Sequence, residues 1–162
     1  KECNKLTTIH IHNTPLEDID LSFLEGCPEL TTLDLSYNQF ELIDLTCLKH
    51  CRDLRQLELH SNSIEQIDLG ALEICTALKK LSLCYNQIRS IDLNPLSSCL
   101  NLFELDLFRN QLSEIDVTPI ALCLSMEKFR VDNDVDIMLS RKFIEAGLSR
   151  GLMIIRHRIR FY

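Results

Sequence analysis

Leu30–Leu54 reads LTTLDLSYNQFELIDLTCLKHCRDL, and Leu54–Leu78 reads LRQLELHSNSIEQIDLGALEICTAL. The second stretch copies the first at an interval of 24 residues, and that interval holds along most of the chain. Asn38, Asn62, Asn86 and Asn110 keep it, as do Leu30, Leu54, Leu78 and Leu102, and Cys3, Cys27, Cys51, Cys75, Cys99 and Cys123. The shared unit is L-x-x-L-x-L-x-x-N-x-L-x-x-I-D-L-x-x-L-x-x-C. A fixed period of this kind means one supersecondary unit per repeat, each burying its apolar face against the next.

Each unit opens with alternating apolar residues: Leu33/Leu35, Leu57/Leu59, Leu81/Leu83 and Leu105/Leu107. Ile9/Ile11 begins the series and Phe129/Val131 ends it. Alternation with period two predicts six short strands, one face inward and the other free, stacked in parallel about 4.8 Å apart. Asn suits the turn that follows, because its amide both donates and accepts. Thr14 and Asp134 occupy the same slot in the outermost units, where the Asn ladder is expected to end. After the I-D-L element, Ser22, Thr46, Gly70, Asn94 and Thr118 read as helix caps, with Pro95 and Pro119 following and Ser22/Glu25 as a capping box. Asp20, Asp44, Asp68, Asp92 and Asp116 then serve helix starts, where an anion is favoured, rather than a calcium site.

The L-x-x-L-x-L-x-x-N core and the 24-residue interval resemble the leucine-rich repeat over roughly residues 6 to 134. The chain is similar to the short, intracellular kind. The resemblance implies a right-handed, curved α/β solenoid with a parallel β-sheet on the concave face and short helices or 3-10 turns on the convex face. It assigns 1–134 to repeats, about five full units with a partial sixth, and 135–162 to a C-terminal cap. Within the cap, residues 140–150 are expected to form a helix with Phe143, Ile144 and Leu148 inward, and 152–162 an edge strand bearing Arg156, Arg158 and Arg160. Asp136 stands where the repeat expects an apolar residue. With Cys3 already in its slot, earlier repeats or a cap are expected upstream, and an uncovered first strand is where a dimer would form; otherwise a monomer is expected.

Composition narrows the partners. Residues 1–126 carry a net charge of −10 and residues 127–162 one of +3, which recovers the −7 of the 162-residue chain. An acidic solenoid lacks the basic face that nucleic acid requires. No apolar run approaches the roughly 18 residues of a membrane span. Six of the eight cysteines share one slot, so their side chains point the same way and are poorly placed for disulfides. Buried free thiols in a reducing, cytoplasmic setting are the expectation.

Function is expected on the outward strand positions, which the core does not constrain. Two zones stand out. One is acidic and histidine-bearing: His10, His12, Asp34, Glu58 and His60. The other is aromatic: Tyr37, Tyr85, Phe108 and Arg109, residue types enriched at interface hot spots. No phosphate loop, nucleophile elbow or H-E-x-x-H element is present, so no catalytic residue, cofactor or dedicated metal site is expected. The resemblance implies a protein-binding scaffold. Tyr37, Tyr85, Phe108 and Arg109 would be its anchors beside His60, and Asp34, Glu58 and Asp106 would favour an unidentified protein partner with a basic surface. Two alternatives are a regulatory domain of a larger signalling protein, acting on a small GTPase or phosphatase, and a metal- or pH-responsive binder using His10, His12 and His60.

Overall fold

The computed structural model describes residues 4–143 and 147–162. Alternating leucines set the first layer. Strands β1 (Thr8–His10), β2 (Thr32–Asp34), β3 (Gln56–Glu58), β4 (Lys80–Ser82), β5 (Glu104–Asp106) and β7 (Lys128–Arg130) form a six-stranded sheet in that order. Every pairing is parallel, and the register advances by one repeat each time, as in Leu33↔Leu57↔Leu81↔Leu105. The middle residue of each strand is buried, and the flanking ones face the concave side. Leu30, Leu33, Leu35 and their equivalents as far as Leu107 reach zero exposure, and one continuous core runs on from them to Ile9 and Phe129 at the two ends of the sheet.

The asparagines make the turn possible. Asn86 donates through Nδ2 to the carbonyls of Leu83 and Leu59, both at 3.0 Å, and accepts from the Ile64 amide at 3.0 Å. Asn62 and Asn110 repeat the pattern, on Leu59, Leu35 and Phe40 and on Leu107, Leu83 and Ile88. Each therefore satisfies one carbonyl of its own strand, one of the preceding strand and one amide of the preceding loop. The ladder opens at Thr14, whose hydroxyl donates to Asn38 at 2.8 Å.

Across the core lie the 3-10 turns Ser22–Gly26, Thr46–His50, Gly70–Ile74, Asn94–Ser98 and Thr118–Ile120. Here the structure corrects the expected caps. Ser22, Thr46, Gly70, Asn94 and Thr118 are the first residues of these turns, and the capping positions before them make no side-chain cap bond; no Ser22/Glu25 capping box forms. The aspartates do that work from two residues upstream: Asp20, Asp44, Asp68, Asp92 and Asp116 accept the amides of Ser22, Thr46, Gly70, Asn94 and Thr118 at 2.7–2.9 Å. Each turn starts one residue earlier than the expected caps would place it, and the orphan amide of its first residue falls to the Asp two positions upstream.

The buried cysteines form their own ladder. The Sγ atoms of Cys51, Cys75, Cys99 and Cys123 each lie 3.4–3.5 Å from the carbonyl of the preceding cysteine, and all four are free thiols. Cys3 lies outside the described residues.

A second sheet, unforeseen in the sequence, lies on the C-terminal side of the stack. It pairs β6 (Glu114–Asp116), β8 (Asp136–Leu139) and β9 (Ile159–Phe161) in parallel. The register Ile115↔Ile137↔Ile159 advances by 22 residues instead of 24. Two residues have been lost just after β7, so counting on by 24 aligns Asp136 with buried Leu112, whereas the structure pairs it with exposed Glu114 and sets Ile137 against Ile115. Asp134 likewise lies exposed, outside the Asn ladder, while Asp132 accepts the Asn110 amide at 3.2 Å. The cap helix also falls elsewhere: α1 spans Arg150–Ile154, capped by Ser149, and only a 3-10 turn covers Arg141–Phe143. Ile144 lies outside the described residues. Arg156 and Arg158 belong to a 3-10 turn and not to the strand, which holds only Arg160 of the three, and the Arg158 guanidinium donates to the carbonyls of Asp132 and Val135. The last residue, Tyr162, donates to Asp116 at 2.7 Å.

Two predictions follow from the ladders. Asn86→Ala strands two carbonyls and one amide in a buried site, so urea unfolding should show a loss on the order of 3 kcal/mol. Burial pushes the thiols of Cys47, Cys51, Cys99 and Cys123 from an ordinary 9.0 up to about 11, and that of Cys75 to about 12. The folded state thus favours the neutral thiol. Its stabilisation is complete below pH 9 and is lost as pH rises towards 11–12. Urea midpoints compared across that window should fall, and replacing Cys75 by Ala should reduce the fall.

Candidate interaction surface on the concave sheet

The concave side chains come from two columns. The first is the outward strand positions flanking each buried leucine. The second is the residue immediately before each ladder position: Asn13, Tyr37, Ser61, Tyr85 and Arg109. All five adopt left-handed backbone, with φ between 54° and 60°. The turn demands it, because the next residue must direct its amide back under the sheet. Asn takes this conformation easily, whereas a bulky side chain there loses roughly 1–2 kcal/mol. Two tyrosines and an arginine are nonetheless held in it. The tyrosine amides stay bonded to the next coil, Tyr37 to the His60 carbonyl at 3.0 Å and Tyr85 to the Phe108 carbonyl at 2.9 Å, while the two residues remain 57% and 54% exposed.

Three clusters result. At the C-terminal end Tyr85 meets Phe108 edge to face at 6.1 Å between centroids. The guanidiniums of Arg109 and Arg130 lie 5.3 Å and 5.0 Å from the Phe108 centroid. Arg130 also pairs with Asp106 at 2.7 Å, and the Asp106 side chain is only 5% exposed. What this corner offers is therefore an arginine-lined aromatic patch, not a free carboxylate. Phe108 is half-buried beneath it, more sheltered than a solvent-facing strand position suggests.

In the middle, Tyr37 stacks edge to face on His60 at 4.9 Å. Beside them Glu58 receives Lys80 at 2.7 Å, and its Oε2 is buried with no hydrogen-bond partner. A recess between Tyr37 and Tyr85 is floored by Ser82 and Cys84 and bounded by Ser61. Burial pushes the Cys84 thiol up, against a hydrogen bond from Ser82 that lowers it.

At the N-terminal end His10 faces Asp34 in register, with Nδ1 3.5 Å from Oδ2. His12 sits edge to face on His10 at 5.9 Å. Burial opposes the charge on Asp34. Hydrogen bonds from the Ser36 hydroxyl and amide, with His10 and His12 close by, outweigh it and hold the carboxyl below its ordinary value.

The grouping differs from the one expected. His60 joins the aromatic residue Tyr37 instead of His10 and His12, because its ring turns towards the left-handed column. Glu58 and Asp106 are neutralised within the sheet by Lys80 and Arg130. Sequence reasoning left Arg130, Lys80 and Ser36 out of the site. Arg130 was legible, since it stands 24 residues after Asp106 in the same column; the Lys80–Glu58 diagonal and the inward bend of Ser36 had no such signal.

The comparisons with known proteins agree with this architecture. The leucine-rich-repeat family model matches residues 4–64 and 52–112. No curated protein matches the chain in sequence. Among solved structures, a leucine-rich-repeat protein of Leptospira interrogans superposes over 98% of this chain and 37% of its own, with TM-score 0.73 and 19% identity. An internalin (inlF) of Listeria monocytogenes covers 88% of this chain and 38% of its own, with TM-score 0.65 and 22% identity. Internalin C2 of the same organism covers 98% and 72%, with TM-score 0.66 and 23% identity. The chain thus spans less than two-fifths of the first two proteins' length, and at such identities the likeness concerns the fold. With the family match reaching from residue 4 to residue 112 and six parallel strands paired at a constant step of 24 residues, the chain belongs to the leucine-rich-repeat family.

Proposed function

We propose that this chain is a non-catalytic protein-interaction module whose concave face binds a protein partner through Tyr37, His60, Tyr85, Phe108 and Arg109. One observation carries the reading: Tyr37, Tyr85 and Arg109 occupy left-handed positions that a smaller residue would fill at lower cost, and both tyrosines are more than half exposed. Strained backbone under bulky exposed side chains supports a surface role, since each ring gives the fold a single edge-to-face contact and leaves the rest of its surface open. Tyr and Arg also supply large contact area with few rotatable bonds. The family is commonly one of interaction scaffolds, which agrees. The net charge of −7 would steer a partner with a basic surface towards the chain as a whole, while at the Phe108 corner Arg109 and Arg130 present the opposite sign. A reducing, cytoplasmic setting suits the ladder of buried thiols.

The test is affinity capture from native lysate by the wild-type chain and by a Tyr37→Ala/Tyr85→Ala/Phe108→Ala/Arg109→Ala variant of confirmed folding. A discrete protein retained by the first and lost by the second is the expected result; retention by both would move the binding surface elsewhere. Against that partner, Tyr85→Asn should weaken binding by about 2 kcal/mol or more. The same substitution should leave unfolding stability unchanged or raised by up to about 1 kcal/mol, because Asn relieves the left-handed strain. A Tyr85→Asn chain that binds normally would remove the strain argument. Association should slow as salt is raised from about 0.05 to 0.5 M; an on-rate indifferent to salt would remove the requirement for a basic partner.

A further inference from the structure

The concave strands carry four carboxylates: Asp34, Glu58, Glu104 and Asp106. Three are matched by a lysine or arginine on a neighbouring strand: Glu58 by Lys80 at 2.7 Å, Glu104 by Lys128 at 3.0 Å and Asp106 by Arg130 at 2.7 Å. Asp34 is the exception among the described residues. Its neighbours are two imidazoles, His10 at 3.5 Å and His12 beyond it. One donor atom from each of His10, His12 and Asp34 lies within 4.8 Å of the other two.

We propose that His10, His12 and Asp34 form a binding site for a zinc-class dication at the N-terminal end of the concave sheet. The placement follows from the fold. His10 and His12 are two residues apart on an extended segment and so share a face, and parallel register sets His10 directly against Asp34. Four-coordinate zinc with bonds of about 2.0–2.2 Å holds its donors about 3.3–3.6 Å apart. The pair His10–Asp34 already meets that spacing at 3.5 Å. The wider separations, up to 4.8 Å, close by rotation of imidazoles that are exposed and free to turn.

The donor chemistry selects the ion. Calcium and magnesium call for oxygen ligands, whereas two imidazoles and one carboxylate suit zinc and its neighbours in the first transition row. Asp34 is also held as a ligand should be. Its Oδ1 accepts from the Ser36 amide at 3.0 Å and the Ser36 hydroxyl at 2.6 Å, which fixes the carboxylate and leaves Oδ2 directed at the histidines. Three protein ligands leave a fourth position for water, and the exposure of His10 and His12 opens it to solvent. His60 takes no part, being stacked on Tyr37 one strand further along. The site stands independently of the protein-interaction reading.

The test is a titration of the tag-free chain with zinc chloride by calorimetry, paired with cobalt(II) as a spectroscopic probe. The expected result is one zinc per chain. Cobalt should give visible d–d bands of a nitrogen/oxygen site, without the near-ultraviolet charge transfer that a thiolate ligand produces. His10→Ala, His12→Ala and Asp34→Asn should each abolish binding or weaken it well over tenfold, and Ser36→Ala should weaken it by roughly tenfold through the loosened carboxylate. His60→Ala should leave it unchanged. Far-ultraviolet circular dichroism and the melting temperature establish that each variant is folded, as expected for substitutions on an exposed face. No heat of binding would overturn the proposal. So would binding that survives the His10, His12 and Asp34 substitutions, or a thiolate charge-transfer band, which would assign the metal to cysteine.

Discussion

Backbone groups at the end of each strand must find partners in the dry interior of the stack, and the rest of the molecule depends on how they do so. An unpaired amide or carbonyl there costs on the order of 1–3 kcal/mol, and every coil presents several. The Asn side chain resolves this because its two N–H groups reach carbonyls on two successive strands while its oxygen takes an amide from the preceding loop. One side chain thereby ties two coils together. The thiol ladder and the aspartates that take the first amide of each 3-10 turn settle the remaining groups on the other side of the coil. Where the two-residue contraction after β7 breaks the phase of the ladder, the stack changes character and the second sheet takes over.

The same ladder shapes the functional surface. For the Asn amide to point inward, the preceding residue must take left-handed φ, and that residue then projects from the rim of the concave face. The fold imposes the conformation at every coil and leaves the identity of the side chain open. Asn13 and Ser61 answer with small residues, Tyr37, Tyr85 and Arg109 with large ones. Strain and display are therefore linked in one position. The neighbouring coil completes each patch, with His60 under Tyr37 and Phe108 under Tyr85.

Charge on the sheet is managed by lateral pairing. Parallel strands in register bring residues one repeat apart side by side, so a carboxylate finds its cation on the adjoining strand. Asp106 is almost wholly covered in this way and contributes little free charge to the surface. The arrangement thins out towards the N-terminal end, where histidines stand in place of lysine or arginine and Asp34 is steadied by Ser36.

The sequence by itself determined the solenoid, the six parallel strands, the Asn ladder and the buried cysteine column, because all follow from one interval that repeats in the letters. It also determined which strand positions lie on the concave side, by period two, but not that Ser36, Ser82, Cys84 and Asp106 would be buried there. The contraction from 24 to 22 residues after β7 was not legible, as a shortened coil looks like the end of a pattern until the pairing of Ile115, Ile137 and Ile159 is seen. Nor was the placement of α1, or of Arg158 against the carbonyls of Asp132 and Val135, because those depend on how the segment after β8 packs back against the shortened coil. In the candidate site the sequence supplied the residues, and tertiary structure decided their company. Side-chain rotation sent His60 to Tyr37 and Lys80 to Glu58, and it left His10, His12 and Asp34 together. Spacing fixes where a side chain begins; packing and charge against its neighbours fix where it ends.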